Sequence, residues 1–429
     1  MIIIYDIIFL IFALIYFPYL LLKRKWHCGF WMRFGVFPKE LKGSLRNDKR
    51  KCIWIHAVSV GEVLTVLELV ARIKINFKDY KIIFSTVTKT GNDLAKEKLG
   101  KDIEVIYAPL DFSLIVKKYI SQIRPKLYIA AETELWPNLY TGLSDSGVPI
   151  VQVNGRISDK ALRGYKRMNF LTRNVLSCVK VFCMQSEMDC SRIISLGAGK
   201  DKVHMVGNLK FDGFDGNIED VSCLCGYKKE DKLLVAGSTH PTEEELIVDV
   251  YKKLLREFKD LRLVIVPRHI ERSEEVVRVI ENNGLKAVLF SNNFDMAKEK
   301  DKVLVVDKIG YLRKFYVLSK IVFVGKSFAV GGGQNMIEPA GYGKPTIIGP
   351  RTENFKDAVR FLLSEKALLQ VNDKNEMFEV MKELLKDDQK SYEIGLRAQK
   401  AVKKSQGATD RTFKFIRDIL IGSNMVELK

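Results

Sequence analysis

From residue 51 onward, short apolar runs alternate with polar stretches of helical spacing. In the first half KCIWIHAV, KIIFSTVT, IEVIYAPL, PKLYIAAE, VPIVQVN, KVFCMQS and VHMVGN read as β-strands. The rhythm stops over Asp212 to Asp231 (DGFDGNIEDVSCLCGYKKED), which is acidic at its start, contains glycine and has no period. It resumes with KLLVAGS, LRLVIVPRH, KAVLFS, KVLVVDKIG, KIVFVGKSF and KPTIIGP. Strands alternating with crossover helices predict parallel sheets. The expectation is an α/β chain with two Rossmann-like domains, 23–215 and 216–429, facing a cleft. Ligands in such sheets sit beyond the carboxyl ends of the strands.

Ahead of this lies Ile2 to Leu22 (IIIYDIIFLIFALIYFPYLLL), apolar except for Asp6 and interrupted by Pro18. Such a run is about long enough to cross a bilayer core of roughly 30 Å. Positive charge follows it (Lys23, Arg24, Lys25) and no small-residue cleavage site is evident, so 1–22 reads as an uncleaved transmembrane anchor. The basic end facing inward places the rest of the chain on the cytoplasmic side of the membrane. A buried core helix is the competing reading, and Asp6 favours it. Trp26, Phe30, Trp31 and Phe34, interleaved with Lys25 and Arg33, fit either a headgroup layer or ordinary packing.

Charge narrows the partners. Of 429 residues, 70 are Lys or Arg and 52 are Asp or Glu, a net +18, which implies attraction to an anionic membrane surface, nucleic acid or a phosphorylated substrate. No nucleic-acid module is visible. The seven cysteines form no CxxC pair and the five histidines are scattered, so neither a disulfide framework nor a metal site is signalled. No cofactor is expected.

Polar clusters fall at the predicted strand ends. HAVSVGEV (His56 to Val63) puts Glu62 where a strand gives way to a helix, as a cleft carboxylate or as a partner for the helix dipole. AAETELWPNL brings Glu132 and Glu134 out of another strand, with the same two explanations open. NGRIS and GNLKFD add Arg156 and Lys210, the latter beside the linker. In the second half, VPRHIER gathers Arg268, His269 and Arg272, suited to phosphate or simply solvated. AGSTHPTEEE offers a capped helix start, and DKIGYL a glycine turn able to read a nucleobase through its backbone. GGGQNMIEPAGYGKPTIIGP (Gly331 to Pro350) leads glycines into a helix whose amides and dipole would favour a phosphate, with Glu338 one turn in.

The ordered set HAVSVGE, STVTKTG, ETELWPN, NGRIS, GNLKFD, AGSTHPTEEE, VPRH and GGQNMIEPAGYGKP, anchor included, closely resembles the bacterial 3-deoxy-D-manno-octulosonic acid (Kdo) transferases of lipopolysaccharide core assembly. The resemblance covers nearly the whole chain and implies a GT-B glycosyltransferase. Its N-terminal domain would take a tetraacylated lipid A precursor (lipid IVA), and its C-terminal domain would hold CMP-Kdo. Transfer would invert the anomeric carbon without a catalytic metal. By motif, Glu62 matches the general base, and Glu132 and Lys210 match positions that support the transition state. Arg268, His269, Ile309, Gly310, Tyr311, Asn335, Met336, Ile337 and Glu338 match the CMP-contacting segments.

Departures from the pattern are local. Gln334 stands where the family usually has histidine, which removes proton transfer there and keeps a hydrogen-bonding role. Ile309 and Tyr311 replace a methionine and an acid, changes that backbone contacts to cytidine would tolerate. Arg163, Lys166, Arg167 and Arg173 are candidates for holding the protein to an anionic leaflet. The alternative function is another membrane-associated GT-B enzyme, using a UDP-sugar and a lipid-linked acceptor.

Overall fold

The computed structural model describes residues 5–11, 29–214, 216, 226, 232–292, 301–329 and 332–427, with side chains to 422. It comprises two compact units, Met1–Gly213 with Gln406–Lys429, and Phe214–Ser405. Each is an α/β unit around one parallel sheet of seven strands.

In the first unit the strands are β1 (Lys51–His56), β2 (Tyr80–Thr86), β3 (Glu104–Tyr107), β4 (Pro125–Ala131), β5 (Ile150–Gly155), β6 (Val181–Met184) and β7 (Val203–Met205). Their order is β3-β2-β1-β4-β5-β6-β7, so the chain reverses direction across the sheet between β1 and β4. Alternate residues feed opposite faces. Trp54, Tyr128 and Phe182 pack on one side, and Ile53, Ile55, Phe84 and Ile129 on the other, all buried. Each such large apolar side chain contributes about 1.5–3 kcal/mol when fully buried. Helix Val60–Asn76 follows β1 and turns Val63, Val66, Leu69, Val70 and Ile73 inward, a single apolar stripe at helical spacing.

The second unit carries β8 (Leu233–Thr239), β9 (Arg262–Pro267), β10 (Lys286–Leu289), β11 (Lys302–Val305), β12 (Ile321–Val324), β13 (Thr346–Ile348) and β14 (Leu369–Gln370). The order β10-β11-β9-β8-β12-β13-β14 places its reversal between β8 and β12. Helix Asp388–Ser405 packs on helix Ile337–Gly341 through glycine: a Cβ on Gly395 would meet the Gly343 carbonyl oxygen at 2.0 Å.

The sequence-based boundary assigns 216–429 to one domain, and the structure divides that stretch. Helix Ala408–Glu427 belongs to the first unit, where Ile416 and Leu420 join the core face formed by Val63 and Val66, and the Phe413 ring lies 5.9 Å from Phe77. Its start is fixed by Asp212, whose carboxylate accepts from the backbone N–H groups of Gly407 and Thr409. The apolar face of this helix completes the first core, which explains why the chain returns.

Of the expected anchor over 1–22, residues 5–11 form a helix and the remainder lies outside the described residues. Among the described residues no helix is long and apolar enough to cross a membrane. Asp6, the one acid of the stretch, accepts from Asn138 Nδ2 at 2.7 Å and from Ser113 Oγ. Ile7, Ile8, Leu10 and Ile11 remain exposed.

Candidate active site

In open parallel sheets the loops at the reversal point diverge and leave a crevice at the carboxyl ends of the strands. In the first unit those loops follow β1 and β4, and they carry the candidate acids. Ser59 starts helix Val60–Asn76, and Glu62 lies three residues on, the spacing of a capping box. Glu62 folds back: its Oε2 accepts from Val58 N–H at 2.7 Å and its Oε1 from Ser59 Oγ at 3.0 Å. The helix-capping and cleft-carboxylate explanations therefore coexist in one side chain.

Two effects oppose each other at Glu62. Burial raises the carboxyl pKa and the Val58 amide lowers it, while the charges of Glu132 and Glu134 push it further up. Burial wins, and the group titrates near 7, against an ordinary 4.5. That value suits a base working at neutral pH.

Glu132 follows β4 with a left-handed backbone, φ 54°, and its Oε2 lies 3.3 Å from Arg156 Nε. The conformation is held from both sides, since Glu132 N–H donates to Val153 O and Glu132 O accepts from Gln152 Nε2. Glu134 is half-buried, and desolvation raises its pKa. Lys210 sits on the short turn Leu209–Phe211, which packs against helix Val60–Asn76. Three amides build that turn: Asn154 Oδ1 accepts from Leu209 N–H, Asn208 Oδ1 from Lys210 N–H, and Asn208 Nδ2 donates to Gln185 Oε1. Glu62, Glu132, Glu134 and Arg156 thus lie just past the neighbouring strands β1, β4 and β5, and Lys210 past β7 of the same unit.

The second unit gathers its candidates on the loops after β8, β9, β11 and β12. Arg268 N–H donates to Thr239 O, tying the loop after β9 to that after β8. Gly310 takes φ 95° between β11 and helix Leu312–Leu318, leaving Ile309 83% exposed. Tyr311 packs its ring 4.6 Å from Phe290. Asn335 Oδ1 accepts from Ile337 N–H at 3.1 Å, and Glu338 Oε1 accepts from Arg313 Nη2 at 3.0 Å. Met336 and Ile337 are buried, so only their backbone can face a ligand.

Two expectations change here. Arg272, grouped by sequence with Arg268 as a phosphate ligand, donates instead to the buried Glu244 at 3.0 Å and to Glu275 at 2.9 Å. The helix after the glycines runs only Ile337–Gly341, too short for a sizeable dipole. Residues 330 and 331 lie outside the described residues.

Sequence reasoning passed over Glu243, which it read as one of a run of acids at a helix start. Glu243 is fully buried and accepts four backbone N–H groups: His240 and Lys326 on Oε2 at 2.9 and 2.7 Å, Ser327 and Phe328 on Oε1 at 2.8 and 2.9 Å. It stitches the loop after β8 to the loop after β12. No local signal separates it from Glu244 and Glu245, which share the first turn of the same helix. Among the described residues no group of three or more His, Cys, Asp or Glu is placed to hold a metal ion.

Two Rossmann-like units, each with polar groups at its reversal point, define the GT-B class of glycosyltransferase folds. A solved glycosyltransferase from Rickettsia africae aligns over 87% of this chain and 99% of its own with a TM-score of 0.54 at 12% identity, a likeness of fold. Residues 29–213 match the family model of 3-deoxy-D-manno-octulosonic-acid transferase (kdotransferase). The 3-deoxy-D-manno-octulosonic acid transferase of Haemophilus influenzae is 31% identical over 86% of this chain and 87% of its own, and that of Aquifex aeolicus 30% identical over 85% and 96%. A bifunctional glycosyltransferase/methyltransferase of Fusobacterium nucleatum is 38% identical over 80% of this chain, which spans 54% of that relative's length. This chain belongs to the Kdo transferase family of glycosyltransferases.

Proposed function

We propose that the protein transfers Kdo from CMP-Kdo to a hydroxyl of a lipid A precursor, with inversion, in lipopolysaccharide assembly at the inner membrane. The observation that carries this reading is Glu62: a buried carboxylate at the reversal point of the first sheet, titrating near 7. Its carboxylate takes the proton of the acceptor hydroxyl as that oxygen bonds to the anomeric carbon. The bond from that carbon to the phosphate oxygen breaks, and CMP leaves with the electron pair. One base suffices for a single inverting displacement.

Glu132 and Lys210 support the charge that develops in this step, as in the motif positions they occupy. Arg268 and His269, the turn Ile309 to Tyr311, and Asn335 to Glu338 hold CMP. Stabilisation of the departing phosphate by Arg268 makes the step independent of a metal. Membrane association is supported by the exposed apolar residues of helix 5–11 and by Lys166, Arg167 and Arg173 beside Met168 and Phe170, which are 56% and 78% exposed.

The test is an assay of the protein and its Glu62→Ala variant with lipid A precursor and freshly generated CMP-Kdo, products being followed by mass spectrometry. Transfer by the protein, lost in a variant that still binds CMP, supports the reading, and the product mass counts the sugars added. Transfer from a UDP-sugar and none from CMP-Kdo overturns the donor; full activity in the variant removes the base from Glu62.

A further inference from the structure

His240 and Gln334 meet across the reversal point of the second sheet. His240 lies on the loop after β8, Gln334 on the loop after β12, and the Gln334 amide nitrogen is 3.4 Å from His240 Nε2. Loops that part at a reversal point leave a crevice for a ligand, and these two side chains close across it.

What surrounds the pair is anion-seeking. The His269 ring stands perpendicular to His240 at 5.8 Å, and the cations of Lys326, Arg272 and Arg268 lie close enough to oppose a charge on it. The carboxylates facing this cluster are already engaged, Glu243 by four backbone N–H groups and Glu244 by Arg272. Among the described residues Arg268 and Lys326 form no ion pair. His240 is fixed at its backbone, since its N–H is one of those held by Glu243.

Building on the reading of the second unit as a CMP-sugar site, we propose that His240, oriented by Gln334, donates a hydrogen bond to the phosphate of the sugar nucleotide. Donation from the Gln334 amide to Nε2 leaves the ring proton on Nδ1, which becomes the donor. Burial and the cations around it lower the His240 pKa to about 4, so the ring is neutral and carries one N–H to offer. The glutamine that replaces the family histidine thereby serves as the partner of a histidine on the neighbouring loop.

Calorimetry with CMP and with cytidine tests this on the full chain. His240→Ala weakens CMP binding by about 10- to 100-fold, the scale of a hydrogen bond to a charged group, and leaves cytidine binding unchanged. His240→Asn, whose amide imitates Nδ1–H, restores most of the CMP affinity, whereas His240→Gln does not. Gln334→Ala gives a smaller loss in the same direction. Equal weakening of both ligands marks His240 as structural and overturns the proposal, as does CMP binding unchanged in His240→Ala. Restoration by His240→Gln alone reverses the tautomer and overturns the part given to Gln334. A wild-type chain that binds neither ligand overturns the CMP-site reading itself, and this proposal falls with it.

Discussion

Glu132 and Lys326 hold the same left-handed backbone conformation, φ 54° and 56°, each just beyond the strand that follows the reversal in its own sheet. An L-residue with a side chain spends roughly 1–2 kcal/mol there. Both are locked by hydrogen bonds, Glu132 to Val153 and Gln152, Lys326 to the Glu243 carboxylate. Strain maintained at matching points of two sheets marks where each unit shapes its site.

Glycine should therefore outperform alanine at position 132, contrary to the usual order. Both substitutions remove the carboxylate beside Arg156, and both should lower transfer activity. Glu132→Gly should nonetheless melt above Glu132→Ala by about 2–4 °C, because only alanine keeps the strain. Thermal unfolding of the pair measures it, and the reverse order would show that the backbone is relaxed there.

In its proposed role as the base, Glu62 links catalysis and stability with opposite signs. Its folded pKa, near 7, lies above the ordinary 4.5, so the protonated form favours folding. That contribution is complete below about pH 4.5 and is lost as pH rises through 7, an effect of up to roughly 3 kcal/mol. Glu62→Gln, which keeps an oxygen for Val58 N–H, should unfold later than wild type at pH 8 and not at pH 4.5. Its turnover should fall by about 10²–10⁴-fold, and the wild-type rate should climb with pH around 7. A variant that melts below wild type at pH 8 would sink the burial account.

Arg272 and Arg268 stand four residues apart and should respond differently. Arg272 neutralises the buried Glu244, so Arg272→Ala leaves a carboxylate uncompensated and should cost roughly 2–4 kcal/mol in urea unfolding. Arg268 makes no ion pair among the described residues. Arg268→Ala should leave stability within about 0.5 kcal/mol of wild type and weaken CMP by about tenfold or more. Equal destabilisation by both would mean that Arg268 is also structural.

Much of this was legible in the sequence for a plain reason: parallel strands buried on both faces leave continuous apolar runs, and β1 to β13 each left one. β14, Leu369–Gln370, is only two residues long, and the short run KALLQV around it was passed over. Glu62, Glu132 and Lys210 were legible as polar residues at strand ends. What stayed hidden depends on partners remote in sequence. Glu243 is bound to a loop 83 to 85 residues away, and nothing local separates it from Glu244 or Glu245. Arg272 gave the same signal as Arg268, because the choice between phosphate and Glu244 is made 28 residues upstream. Helix Ala408–Glu427 followed the second unit in sequence while its apolar face matched the core of the first.

The surface proposed to meet the membrane yields the last prediction. Helix Asp159–Arg167 has no buried residue and ends in Lys166 and Arg167, and beyond it Met168 and Phe170 stand exposed. Aromatic and basic residues together are what a headgroup layer accepts, about 1 kcal/mol coming from each cation near an anionic surface. In the full chain reconstituted into anionic bilayers, a tryptophan placed by Phe170→Trp should be quenched by lipids brominated near the headgroup and less by lipids brominated at the chain end. Reversing Lys166 and Arg167 to glutamate should reduce that quenching, and raising salt should reduce it in the parent, since the attraction is screened. A residue 170 that is unquenched by both lipids would place this surface away from the bilayer and assign its charge to solvent.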